Sequence, residues 1–75
     1  MNPKRVVVRR SVYAAAQELQ KESEAVSYKA YNLAEKKTAD CKAAGDKAGA
    51  KFWHDAYNYL LSVEMLDGEA TLVED

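Results

Sequence analysis

Proline, glycine and cysteine are all scarce in this chain of 75 residues, which holds one, three and one of them respectively. A lone cysteine, Cys41, excludes an internal disulfide framework and fits a reducing compartment. No apolar run approaches the roughly 20 residues needed to cross a bilayer, and no leader of basic start, apolar core and small-residue cleavage site is present. The expectation is a soluble, cytoplasmic protein with no membrane partner. Histidine also occurs once, as His54, so the clustered His, Cys or carboxylate ligands of a metal site are missing. No glycine-rich loop could cradle a phosphate. His54 adjoins Asp55, but neighbouring helical residues point about 100° apart and no nucleophile accompanies them. Cys41 reads as a small core residue and Glu18 with Glu22 as a solvated face. No catalytic set, cofactor or metal is expected, and the chain reads as a non-enzyme.

What is abundant is helix-favouring and apolar sequence: 48% of residues are apolar and 31% charged, a globular composition. At this length a single helical domain, residues 1–75, lies near the lower limit for burying a sufficient core alone, so a partner or second copy is expected. Net charge is −1 but unevenly spread. Lys4, Arg5, Arg9 and Arg10 make a basic head, and Glu64, Asp67, Glu69, Glu74 and Asp75 an acidic tail. Each could recruit a charged partner, or the two could neutralise one another.

From Val12 the chain places Ala16, Leu19, Ser23, Val26, Ala30 and Leu33 on one helical stripe. Neither Gly nor Pro interrupts residues 4–44, and Ser11 is a candidate N-cap. The pattern predicts one long helix over 11–44, preceded by a basic extended arm, 1–10. Gly45 then suits a left-handed C-terminal cap, Asp46 an N-cap, and a second helix follows over 46–66. Gly49, in its first turn, would let the helices cross closely. Leu66, Asp67 and Gly68 form the stop, and 67–75 is the acidic tail. The fold class is therefore all-α, a long helix and a shorter one in an antiparallel hairpin, with possible short terminal β segments.

At 1.5 Å per residue the two helices differ in length by roughly 20 Å, so a simple hairpin leaves half of the long one uncovered. The reading taken is a homodimer sealed along Val12, Ala16, Leu19 and Val26; the alternative is a break near residues 23–27 and a three-helix bundle. Residues 5–9 and 70–73 are the segments with strand character. Two frayed termini are the simpler expectation, and pairing that brings Arg9 or Arg10 to the acidic tail is the other.

The stretch "AYNLAEKKTADCKAAGDKAGAKFWHDAYNYL" resembles, in its spacing of small residues at Ala30, Ala34, Ala50 and Ala56 and its Gly-Asp turn, the paired helices of tetratricopeptide and microtubule-interacting-and-trafficking modules. That resemblance implies a helical hairpin and no site residues.

Two function classes follow. The first is a small protein-binding module, with Tyr28, Tyr31, Tyr57, Leu61 and Met65 as its partner-binding face, because tyrosines provide the large amphipathic contacts that dominate interfaces. In size and character it is similar to the compact inhibitors and adaptors by which phages and mobile elements block host complexes. Its partner is then an unidentified protein or nucleoprotein complex. The second is a dimeric nucleic-acid binder using Lys4, Arg5, Arg9 and Arg10: "KRVVVRR" before a helix resembles the ribbon-helix-helix repressors, with Arg5, Val7 and Arg9 on one strand face and Val6 and Val8 on the other.

Overall fold

The computed structural model of the protein describes residues 5–75, so Lys4 lies outside the described residues. Five elements follow one another: β1 (Arg5–Arg9), α1 (Arg10–Ala25), α2 (Ala30–Ala43), α3 (Lys47–Met65) and β2 (Glu69–Val73). The molecule is mostly helical, and its two short strands pair in parallel, Arg5 opposite Glu69 through Arg9 opposite Val73. It is therefore not purely α. The arm of residues 1–10 contains a strand and the first residue of α1, and the tail of residues 67–75 contains the other strand.

The single helix expected over 11–44 is two. Val26 (φ −127°, ψ 161°) and Lys29 (φ −70°, ψ 151°) are extended, and the link between them turns the chain from α1 into α2. No side chain caps either end of this break. Ser23, on the expected stripe, donates its hydroxyl back to the Gln20 carbonyl at 2.7 Å, a local bond that competes with helix continuation. Breaking here removes the length mismatch. α2 packs along α3, and α1 packs against both.

The stripe on α1 is real, and what covers it is the chain itself. Val12, Ala16 and Leu19 are 1%, 0% and 2% exposed and join Val8, Ala30, Ala34, Ala56, Tyr59 and Leu60 in one core. The seam assigned to a second copy is thus filled from within, while Val26, assigned to the same seam, stands exposed in the link. Four core members are alanines, which lets the helices approach closely where larger side chains would hold them apart. On α2 the buried line is Ala30, Ala34 and Thr38, whose hydroxyl donates to the Ala34 carbonyl at 2.9 Å; Leu33 is only partly buried.

The second turn forms as expected. Gly45 has φ +77°; its amide reaches the Lys42 carbonyl at 3.1 Å and the Asp46 amide reaches the Cys41 carbonyl at 2.8 Å, the two bonds of a Schellman closure. Asp46 then starts α3, its carboxylate accepting from the Gly49 amide at 2.8 Å. Gly49 is needed for that cap. A methyl group there would lie 2.8 Å from Asp46 Cγ and 3.0 Å from Cys41 Sγ, so the carboxylate would have to swing away. Gly45→Val forces a β-branched residue into the left-handed region, at about 1–2 kcal/mol or more. Gly49→Ala exchanges a cap of ~1 kcal/mol for helix propensity of similar size. At roughly 4–8 °C per kcal/mol, Gly45→Val should melt several degrees below Gly49→Ala. Equal melting temperatures would reject this account of the turn.

Among the described residues, 5–11 and 69–75 are tied together rather than frayed. Arg10 Nε meets Glu74 at 2.8 Å. Ser11 is not an N-cap but lies inside the first turn of α1, where its amide donates to the Asp75 carboxylate at 3.1 Å and its hydroxyl donates to the other oxygen. An acid far along the chain thus supplies the acceptor that the start of α1 lacks, where a negative charge also suits the helix dipole. These bonds hold the Asp75 carboxyl below its ordinary value: the Ser11 hydroxyl contributes most, then the Ser11 amide.

Candidate protein-binding surface

Each aromatic side chain has a distinct situation set by its helix position. Tyr59 is buried and its ring stands edge-on to Tyr13, with centroids 5.8 Å apart. Burial, with Tyr13 nearby, raises its phenol above the ordinary value of 10. These two belong to the core and its margin. Tyr31, in the first turn of α2, meets Tyr57 of α3 edge-on at 6.3 Å, and His54 stacks on Tyr57 at 6.1 Å. Both tyrosines are half-buried. The Lys37 ammonium sits 5.1 Å from the centre of Trp53, on which Phe52 packs edge-on.

Tyr57, Leu61 and Met65 recur every four residues on α3, so they form one line along the helix. Along it exposure rises, from half-buried Tyr57 and Leu61 to Met65 at 59%. Tyr28, in the α1–α2 link, is 65% exposed. It lines two hollows. One, of about 590 Å³, brings it together with Gln20, Glu24, Ala30 and Glu64; the other, of about 510 Å³, with Glu22, Val26, Leu33 and Lys36. The link therefore lies beside the end of α3, where Glu64 precedes Met65.

Sequence reasoning missed two exposed residues at this end. Val26 belongs to the expected seam and Leu66 to the expected helix stop, and both are exposed. Val26 would have been recognisable only from the break. Leu66 is the C-cap of α3, past the last residue whose position the core fixes.

The basic head is differently placed. Arg5, Val7 and Arg9 are exposed while Val8 is buried and Val6 half-buried, the alternation of a strand with one face on the core. Arg9 is held by Asp55 at 3.1 Å and Arg10 by Glu74 at 2.8 Å. Asp55 also takes Lys51 at 3.4 Å, so its partners are cations and not its neighbour His54. Cys41 is a half-buried free thiol beside Gly49. Among the described residues no three His, Cys, Asp or Glu side chains gather as a metal site would require, and no helix is long and apolar enough to cross a membrane.

Compared with known proteins, the chain matches no family model, no curated protein and no solved structure.

Proposed function

We propose that this chain is a protein-binding module that engages its partner through Tyr28, Met65 and the line running back through Leu61 and Tyr57 to Tyr31. The observation that carries this reading is the exposure of large apolar side chains where the α1–α2 link meets the end of α3: Val26, Tyr28, Met65 and Leu66. A small chain gains little stability from leaving such groups in water, and contiguous exposed apolar side chains mark interaction sites. The half-buried Tyr31 and Tyr57 rings form a firm margin, because each holds the other edge-on. Short length and a compact helical body suit an inhibitor or adaptor that occludes a larger complex, of the kind that phages and mobile elements carry.

The nucleic-acid reading has less behind it. Two of its arginines are engaged in ion pairs within the chain, and β1 already pairs on one side with β2.

The test compares the intact protein with Tyr28→Ser combined with Met65→Ser. Both side chains are exposed, so the variant should melt with the parent. A partner recovered by the parent should bind the variant about thirty-fold more weakly, since hot-spot aromatics contribute ~2 kcal/mol or more. Unchanged affinity would overturn the reading. Salt-sensitive retention of duplex DNA, lost on removing Arg5, would favour the other class.

A further inference from the structure

β1 has two edges. One is paired with β2 along its whole length. The other borders a hollow of about 290 Å³ between the strand and one flank of α3. Val6, Val7 and Val8 of β1 and Val12 of α1 line one side, Tyr59 is its apolar part on α3, and Asn58, Ser62 and the Arg9–Asp55 ion pair form its polar rim. No residue of β2 lines it, so it lies on the side of β1 turned away from its partner strand. We infer that this edge and hollow together are a docking groove for an extended segment of a partner protein, one that alternates apolar and acidic residues and adds to the sheet as a third strand.

The strand itself gives the first reason. An unpaired edge presents a row of backbone donors and acceptors, and natural proteins cover such an edge or guard it with charge, bulges or proline. Parallel sheets in particular are seldom left open. β2 carries the acidic Glu69 at its start, while Glu74 and Asp75 past its end are taken up by Arg10 and Ser11. β1 instead offers Val6-Val7-Val8, three consecutive β-branched residues, beside a ready cavity. A strand seated there would lie over α3 and give the sheet three strands on a helical layer, a common and stable arrangement.

The groove also dictates the occupant's chemistry. Side chains turned inward meet Val6, Val8 and Tyr59 and must be apolar. Those turned outward stand beside Arg5, Val7 and Arg9, and of the two arginines Arg9 is already held by Asp55. Arg5 makes no ion pair among the described residues, so an acidic residue opposite it gains a partner, and opposite charges facing one another across strands are favourable. A second copy of β1 suits the groove poorly. Antiparallel pairing about Val7 sets Arg5 of one copy against Arg9 of the other, and like charges repel.

The probe is a pair of blocked pentapeptides, Val-Glu-Val-Glu-Val and Val-Lys-Val-Lys-Val, titrated into the full chain by calorimetry and by amide chemical shifts. Asn58→Trp fills the groove from an exposed helix position, and circular dichroism confirms that it folds. The acidic peptide should shift the amides of Val6, Val7 and Val8, and should bind about five-fold more tightly than the lysine peptide, the effect of one cross-strand charge pair at Arg5. Asn58→Trp should lose that binding at least ten-fold. Equal affinity for the two peptides, insensitivity to Asn58→Trp, or no shift at millimolar peptide would overturn the inference. Sedimentation provides one further arm: if the chain alone forms assemblies that Asn58→Trp disperses, the occupant is a second copy and the partner segment is excluded. Loss of the Tyr28 surface leaves the peptide result unchanged, so this groove and the proposed partner face stand or fall separately.

Discussion

Leu19→Glu should leave no folded protein, not a dissociated monomer. Leu19 is among the largest fully enclosed side chains, together with Leu60 and Val12. Replacing it removes about 2–3 kcal/mol of apolar burial. It also places a carboxylate where nothing can solvate it, so the group must be protonated, which at neutral pH costs roughly 4 kcal/mol from its ordinary value. The sum is comparable to the whole stability of a domain this size, about 4–11 kcal/mol. Circular dichroism should show helical signal lost at 25 °C. Val26→Glu provides the contrast: Val26 lies on the same predicted stripe but in the exposed link, so its variant should fold and melt within a few degrees of the parent. A folded, monomeric Leu19→Glu protein would show that the seam is an interface between copies after all.

Removing residues 69–75 should expose β1 in a second way. In the intact chain the amides of Val6, Val7 and Val8 lie in a strand paired to β2 and anchored by Arg10–Glu74 and Ser11–Asp75. Without β2 there is no ladder, and the start of α1 loses its borrowed acceptor. Exchange of the ladder amides and of Ser11 should accelerate by about a hundred-fold or more, while amides at the centre of α3 change far less, because local openings are independent of the helical core. Acid should reproduce part of this. The Asp75 carboxyl is held below its ordinary 3.8, chiefly by the Ser11 hydroxyl, so the anion is preferred in the folded state. Its contribution is complete above pH 3.8 and is lost as pH falls through the lower folded value. Ser11 should therefore lose protection below about pH 3.8 in the intact chain and show no such step in the truncated one. Indistinguishable β1 exchange in the two proteins would mean that the strands do not pair.

The turn at Gly45 was legible in the sequence because only one residue type serves it well. Its φ of +77° asks for glycine, and the Asp46 that follows carries the side chain that starts the next helix. The break at Val26–Lys29 was legible only as the alternative that the length mismatch raised, because nothing local there forbids a helix. Ser23 and Ser27 are tolerated in helices, and no glycine or proline marks the point. The chain opens there because two shorter helices can each be covered within one molecule, and that is a property of the whole length rather than of four residues. The same distinction governs the surfaces. The alternation of Arg5, Val7 and Arg9 against Val6 and Val8 could be read directly from the strand period. Leu66 and Val26 needed the element boundaries first, since a residue one step past a helix end no longer follows its period. Ser11 shows the opposite case: its type suggested a cap, but the acceptor came from Asp75.

The parallel pairing of β1 with β2 has a mechanical consequence. Residue 5 lies at one end of the strand pair and residue 73 at the other, so tension applied to these two points slides the strands lengthwise past each other. Every inter-strand bond is then loaded at once, whereas an antiparallel pair pulled from adjacent ends would open one bond at a time. Such a chain yields at a rate set by a single concerted rupture, and the three helices behind the clamp are shielded from the load until it gives way.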